Sequence, residues 1–255
     1  MRDTWRLAVG TFLAVPVSPP RHLDRRIAGG AMLLAPVTTV PALLLWACLA
    51  VLIGHAWLSP AIGAVLAVAG PVLFSRAMHL DGLADTADGL SAGYDPDRCL
   101  AVMRRSDIGP SGVTAIVLVL LADVACLATL LPAPAGAVLA GTALVASRLA
   151  PALAGCGWPA ARPEGLGHAV ARSVRPASLA AAITAALCLT ALATWLGHLA
   201  WYAAPLVLLV ALAGAWFVTA RAVRRLGGVT GDVIGAAIEL SLALALVVAA
   251  VLHRA

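Results

Sequence analysis

Three aspartates stand close together within residues 76–112, the longest polar stretch of the chain. Asp81, Asp85 and Asp88 follow one another at i, i+4 and i+7. At about 100° per residue, this spacing places their carboxylates within about 60° of one another on a helix. Grouped carboxylates repel unless a cation or a proton compensates, and oxygen ligands suit a hard ion that is shared with substrate phosphates. The spacing therefore predicts a Mg²⁺ site, with a solvated acidic helix as the alternative.

Two arginines and a serine follow this acidic segment, just before an apolar run. Arg104, Arg105 and Ser106 precede Gly109 and Gly112. Guanidinium groups and glycine-flanked N–H groups at the start of a helix are typical of phosphate-binding loops. An arginine anchor on the cytoplasmic side of a membrane helix gives the same pattern. The spacing leaves both interpretations open.

Further polar residues stand in or beside apolar runs, where an ionisable group is costly and indicates function by default. Arg148 either reaches an anionic substrate or extends its charged end toward the membrane surface. Glu164 lies in a glycine-containing loop that is ambiguous by itself. Thr230 and Asp232 open the last apolar run, either as binding groups or as a helix cap. Glu239 follows two turns later and is expected to be buried as a companion of Asp232.

The composition is that of a multi-pass membrane protein. Of 255 residues, 62% are hydrophobic and 11% are charged, and the mean hydropathy is +0.98, far from the usage of soluble domains. The net charge of +5 comes from scattered basic residues, which argues against nucleic acid as a partner. The five cysteines form no CxxC or Cys/His pair, so neither a disulfide framework nor a zinc site is indicated.

Seven apolar runs are long enough, at about 20 residues, to cross a bilayer as helices. They lie near Ala28–Gly54, Trp57–Ser75, Val113–Leu131, Ala135–Gly155, Ala177–Gly197, Trp201–Ala220 and Val233–Leu252. Pro36 and Pro41 predict a break in the first run. The loops on one side carry nearly all the arginines, and the connections between spans on the other side carry none. This asymmetry predicts a cytoplasmic N-terminus and cytoplasmic site loops.

These runs predict a single all-α domain over residues 1–255, a polytopic membrane helical bundle of about seven helices. Residues 1–27 form an N-terminal segment whose apolar part, Leu7–Val17, is predicted to be an interfacial helix. A signal peptide is disfavoured because no small-residue cleavage site follows. Residues 76–112 are the predicted active-site loop.

With these segments assembled, the chain resembles the cobalamin synthase family, adenosylcobinamide-GDP ribazoletransferase, over essentially its whole length. The segments that carry the resemblance are Phe12–Val17, His79–Gly89, Met103–Gly112, Ser147–Arg148, Glu164–Gly167 and Gly227–Leu240. The acidic segment and the last one are together highly specific. In one place the chain departs from the family pattern, because Arg105 and Asp107 have exchanged the order of acid and base.

The resemblance implies a Mg²⁺-dependent transferase, multi-pass in the plasma (inner) membrane of a prokaryote. In the final assembly step of the cobalamin nucleotide loop, α-ribazole or its 5′-phosphate would displace GMP from adenosylcobinamide-GDP. The product would be adenosylcobalamin or its 5′-phosphate. Besides these substrates and the bilayer, the implied partners are a second copy of the chain or other enzymes of the cobalamin pathway.

The resemblance also implies roles for the residues, because displacement at a diphosphate needs charge neutralised on the bridging and leaving oxygens. The implied metal ligands are Asp81, Asp85 and Asp88. The implied substrate-binding and phosphate-binding residues are Arg104, Arg105, Ser106, Arg148, Glu164, Thr230 and Asp232. The attacking hydroxyl must lose a proton, and His79 or one of the aspartates is the expected base.

Two other classes fit parts of the pattern. Lipid-linked phosphotransferases that use CDP-alcohols also have paired Asp motifs, but here Asp85 stands where their pattern has an arginine. Prenyltransferases use two acidic motifs, and this chain has one. A small anion or ion transporter would place polar residues near the midplane of several spans, whereas here they collect at one face.

Overall fold

The computed structural model describes residues 1–13 and 15–254, and these residues are helical apart from connecting loops and one isolated parallel bridge between Ala160 and Val229. The helices are α1 (Arg2–Phe12), α2 (Arg25–Leu33), α3 (Val40–Gly54), α4 (Pro60–Phe74), α5 (Met78–Ser91), α6 (Pro96–Val102), α7 (Pro110–Leu130), α8 (Pro134–Ser147), α9 (Ala150–Ala154), α10 (Leu166–Val170), α11 (Pro176–Leu196), α12 (Ala203–Leu226) and α13 (Gly231–Arg254). The predicted all-α fold is confirmed.

Six helical segments of the described residues are long and apolar enough to cross a membrane. They are Ala35–Gly54, Pro110–Leu130, Pro134–Ala154, Pro176–Leu196, Ala203–Leu226 and Gly231–Arg254. The predicted multi-pass bundle is confirmed, and five of the seven predicted runs correspond to these segments to within a few residues. The first two runs differ from single straight helices.

The first predicted run is broken at its prolines. α2 ends at Leu33, a 3₁₀-helix occupies Ala35–Thr39 with Pro36 inside it, and α3 begins at Val40, next to Pro41. Proline lacks the N–H group that an α-helix needs and restricts the residue before it. The predicted break is therefore confirmed.

The second predicted run ends in a sharp bend. α4 stops at Phe74, and α5 starts at Met78 at an angle of 88° to α4. Arg76 and Ala77, between the two helices, both have positive φ angles, of 54° and 57°, which cannot continue a right-handed helix. α5, which carries the three aspartates, thus turns away from α4 and is not one of the six spanning segments.

The N-terminal helix packs against α2. α1 begins at Arg2 and ends at Phe12, so it starts earlier than the predicted Leu7–Val17, a range that includes Ala14, outside the described residues. Ala8, Val9 and Phe12 are buried. A Cβ atom at Gly30 of α2 would lie 2.7 Å from a side-chain carbon of Thr4. The close contact fixes α1 to the bundle, and its depth in the bilayer stays a prediction.

α13 lies at the centre of the bundle and α11 at its edge. α13 packs against α5, α7, α8 and α12, and thirteen of its residues are buried. Small residues bring its backbone close to its neighbours, as between Gly214 and Ser241, because helices in lipid associate by close packing rather than by a hydrophobic driving force. By contrast, only Thr190 and Thr194 of α11 are buried.

Candidate active site

The candidate site forms where α5 crosses the start of α13. A Cβ atom at Gly82 would lie 2.7 Å from the carbonyl oxygen of Asp232, and one at Gly235 would lie 3.0 Å from the carbonyl oxygen of His79. These two glycines let the helices touch backbone to backbone. Asp81 and Asp85 of α5 are thereby brought beside Asp232 of α13, although the aspartates are separated by about 150 residues in sequence.

A parallel backbone contact positions an arginine at the same place. Val229 forms a parallel β-bridge with Ala160. The N–H of Val229 donates to the carbonyl oxygen of Pro159 at 2.8 Å, and the N–H of Ala161 donates to the carbonyl oxygen of Val229 at 3.1 Å. The chain then places Nη1 of Arg162 3.5 Å from Oδ2 of Asp232, while Nη2 of Arg162 donates to the carbonyl oxygen of Leu100 at 3.2 Å. The sequence pattern did not identify Arg162, because no local spacing links it to Asp232.

Thr230 caps the helix that carries Asp232. Its hydroxyl accepts the N–H of Val233 at 3.2 Å and donates to Oδ2 of Asp232 at 3.2 Å. This is the hydrogen-bond pattern of an N-cap residue. Thr230 is buried, so its contribution in this structure is to hold the helix start and to orient Asp232.

The carboxylates of Asp81, Asp85 and Asp232, called the acidic group below, carry more negative charge than the neighbouring Arg162 balances. Burial, followed by the charges of Asp81, Asp232 and Asp88, raises the pKa of Asp85 to about 6, and Arg162 opposes this only in part. A cation beside the carboxylates would relieve that repulsion. Within the described residues, no group of three acidic, histidine or cysteine side chains is already arranged to hold a metal. Mg²⁺ commonly takes one or two carboxylates and completes its shell with water and phosphate, so Asp81 and Asp85 fit a magnesium site that substrate completes.

Asp88 faces a different neighbour from the other two aspartates. Its Oδ2 accepts the N–H of Gly109 at 2.7 Å, and its Oδ1 accepts the N–H of Gly112 at 2.8 Å. Asp88 is buried, and both oxygens serve the N-terminus of α7, where negative charge is stabilising. The expectation that Asp88 holds metal beside Asp81 and Asp85 is corrected accordingly: its carboxylate anchors the loop before α7.

The basic loop and Glu164 lie at the surface. Arg104, Arg105 and Ser106 are exposed, as is Glu164. Among the described residues, none of these side chains takes part in a hydrogen bond or an ion pair. The anchor at Asp88 ties the loop to the end of α5, one turn beyond Asp85. Their roles in phosphate binding stay predictions.

His79 and Arg148 are buried inside the bundle, away from the candidate site formed by Asp81, Asp85 and Asp232. Nδ1 of His79 lies 3.5 Å from Oε1 of Glu239, and Nη1 of Arg148 donates to Oγ of Ser147 at 2.9 Å. Arg148, Glu239 and Asp123 line one cavity of about 20 Å³, room for about one water molecule.

This arrangement corrects three expectations. His79 is 5% exposed and Arg148 is also 5% exposed, so neither can touch a substrate at the acidic group in this structure. Glu239 accompanies His79 rather than Asp232, because it lies two turns deeper along α13. Opposite charges enclosed together offset the cost of placing each in a low-dielectric interior, which gives these residues a structural role.

The chain matches a known protein family over almost its whole length. The family model described as cobalamin-5-phosphate synthase matches residues 4–250. The chain belongs to this family. The matched range includes α5, Arg162 and the start of α13. The whole candidate site therefore lies within the residues that the cobalamin-5-phosphate synthase family model matches.

Curated relatives of this cobalamin-5-phosphate synthase family member carry the name adenosylcobinamide-GDP ribazoletransferase. The protein of a Nocardioides species is 46% identical over 244 residues, covering 95% of this chain and 96% of the relative. That of Frankia casuarinae is 36% identical over 266 residues, covering 96% and 93%. That of Pseudomonas paraeruginosa is 41% identical over 186 residues, 71% of each. No solved structure matches the chain.

Proposed function

We propose that the protein catalyses the reaction for which its relatives are named, the transfer of α-ribazole or its 5′-phosphate onto adenosylcobinamide-GDP. A hydroxyl of α-ribazole attacks the cobinamide-bound phosphorus of the diphosphate. A new P–O bond forms, the bond from that phosphorus to the bridging oxygen breaks, and GMP leaves with the bridging oxygen. The product is adenosylcobalamin or its 5′-phosphate, which completes the final assembly step of cobalamin.

The observation that carries this proposal is the meeting of Asp81, Asp85 and Asp232 with Arg162 at one end of the bundle. Asp81 and Asp85 would hold Mg²⁺, which when bound neutralises charge on the diphosphate. Arg162, fixed by Asp232 and by the Leu100 carbonyl, would lie beside the departing phosphate. A fixed guanidinium near developing negative charge lowers the barrier because it needs no reorganisation during the reaction.

The hydroxyl proton needs an acceptor at the same place. His79 is enclosed with Glu239, so the acceptor is sought among the carboxylates. Asp81 is exposed and Asp85 is half-buried, so a substrate hydroxyl can reach this pair. We assign the proton to a carboxylate oxygen of the pair that does not hold the metal.

The distribution of the arginines indicates how the protein is oriented in the membrane. The loops that carry the candidate site also carry most of the basic residues, which favours the cytoplasmic side of the inner membrane. Soluble nucleotide substrates are made in that compartment. Arg104, Arg105 and Ser106 lie in the loop that Asp88 anchors, and Glu164 stands two residues after Arg162. From these loops they would meet the phosphates and the ribazole.

The direct test is GMP release by the detergent-purified protein given adenosylcobinamide-GDP and α-ribazole, with and without Mg²⁺. We expect metal-dependent release that Asp85→Asn reduces by at least about 100-fold, and that Asp97→Asn, at an exposed aspartate of α6, leaves unchanged. Absence of release from the native protein with any divalent metal would overturn the reaction. Full activity of a well-folded Asp85→Asn would move the metal elsewhere.

A further inference from the structure

Four arginines surround a large cavity between α1, α2 and the start of α11. The cavity measures about 1060 Å³, and Arg25, Arg26, Arg172 and Arg175 line it together with Ser178. All four arginines are exposed. Among the described residues, none of them has an ion-pair partner. The neighbouring Asp24 is engaged as the cap of α2, accepting the N–H of Ile27 at 2.7 Å. The cavity therefore carries a positive charge that the described side chains leave unbalanced.

An apolar groove continues from this cavity along the side of the bundle. It measures about 440 Å³ and is lined by α8 and α11, and Leu33 lines both the groove and the arginine cavity. On α11 the groove follows Ala182, Ala186, Leu189 and Ala193, which fall on one face of the helix. From Ser178 in the cavity to Ala193 in the groove, the helix rises by about 22 Å. This length exceeds the thickness of one leaflet of the hydrocarbon core, about 15 Å, so the cavity and the groove together are long enough for a headgroup and an acyl chain.

We propose that the cavity and the groove together bind one anionic phospholipid. The phosphate headgroup would lie among the four arginines, and an acyl chain would follow the groove between α8 and α11. Only an amphiphile fits both parts, because a soluble phosphate compound would leave the apolar groove uncovered. A zwitterionic lipid fits less well than an anionic one, because its headgroup would place its own positive group among the four arginines. Basic pockets between membrane helices are a known place for anionic headgroups.

The site is separate from the candidate active site and does not depend on the proposed function. α10 lies between them: Gly167 of α10 packs on Thr230, at 2.7 Å from an added Cβ atom to its Cα, and Arg172 follows α10 on the side of the cavity. α11 packs mainly on α12, so the bound lipid would fill the space between α11 and α8. The acyl chain fills the space that side chains leave.

The test is native mass spectrometry of the intact protein, released from detergent after incubation with phosphatidylglycerol or with phosphatidylcholine of the same acyl chains. We expect one phosphatidylglycerol to be retained at least about tenfold more tightly. Arg26→Gln combined with Arg175→Gln, one from each wall, should weaken retention by about 30-fold. Arg224→Gln, at an exposed arginine outside the cavity, should not weaken it.

A second pair of variants tests the groove without altering charge. Ala186→Phe places a ring in the groove and should weaken phosphatidylglycerol retention, whereas Ala181→Phe, on an exposed part of α11 outside the groove, should not. Equal retention of the two lipids would overturn the proposal. So would displacement of phosphatidylglycerol by millimolar inorganic pyrophosphate with no effect of Ala186→Phe, because that result would identify a site for a soluble phosphate compound.

Discussion

Gly82 of α5 faces the backbone of Asp232 of α13 so closely that a Cβ atom would lie 2.7 Å from the Asp232 carbonyl oxygen. The two halves of the candidate site meet this closely because positions 82 and 235 have no side chain. α5 supplies Asp81 and Asp85, and α13 supplies Asp232, which holds Arg162. The separation of the two helices therefore sets the distance between the carboxylates and the guanidinium.

Gly82→Ala is expected to reduce kcat by about 100-fold, because the added methyl group pushes α5 away from α13 and a shift of about 1 Å is enough to misplace reacting groups. The measurement is GMP release at saturating substrates. The matched control is Gly54→Ala, where an added Cβ meets no atom within 4 Å. A native kcat in Gly82→Ala would contradict the role of this contact.

Asp88→Asn is expected to loosen the loop before α7 while leaving the Mg²⁺ dependence of activity unchanged. An asparagine keeps one acceptor and turns an NH₂ group toward the second N–H, which costs about 1–3 kcal/mol. Hydrogen exchange at Gly109 and Gly112 should become faster, and KM for adenosylcobinamide-GDP should rise. Asp97→Asn is the control. A large increase in the Mg²⁺ concentration needed for half-maximal activity would instead identify Asp88 as a metal ligand.

Arg162→Gln is expected to reduce kcat by about 100-fold, the typical loss for one donor that faces developing negative charge. Arg162→Lys should recover only part of this loss, because lysine keeps the charge but cannot place two fixed donors on Asp232 and on the Leu100 carbonyl. Single-turnover kinetics would separate the chemical step from binding. Arg98→Gln, an exposed arginine of α6, is the control, and equal losses in both variants would refute a specific role.

Glu239→Ala is expected to destabilise the protein by about 3–5 kcal/mol, since it leaves buried His79 without its carboxylate and leaves Arg148 with Asp123 alone. Thermal unfolding in detergent would show the change, and Glu239→Gln should be milder. Glu164→Ala, at an exposed residue, should have little effect on the unfolding temperature.

His79→Gln should retain most of the catalytic rate if it folds, whereas a complete loss of turnover in a well-folded variant would restore His79 as the base.

Most of the fold could be predicted from the sequence because a helix in lipid must satisfy its own backbone hydrogen bonds. Apolar runs of spanning length therefore correspond to helices, and Pro36 and Pro41 locate the break. The bend after Phe74 was not predicted, because it depends on positive φ angles at Arg76 and Ala77. Neither residue type favours that conformation, so no local pattern marks it.

The candidate site was predictable only as far as local geometry reaches. Helical spacing places Asp81, Asp85 and Asp88 on one side of α5, but it does not say which neighbour each meets, and Asp88 meets the start of α7. Arg162 and Asp232 are 70 residues apart, and His79 and Glu239 are 160 apart. Contacts at such separations depend on how helices pack, which spacing within one segment does not encode.

The enclosed charges also have a consequence for how the chain matures in the membrane. Asp123 enters the bilayer on α7 and Arg148 directly after α8, but Glu239 arrives on α13, the last of the described spanning helices. Until α13 is inserted, Arg148 and Asp123 have only each other as partners, and the cavity that encloses them lacks the wall that α13 supplies, at an energetic cost. The bundle can therefore close only after synthesis of α13, and a ribosome-stalled or truncated chain lacking this helix would remain a substrate for membrane quality control.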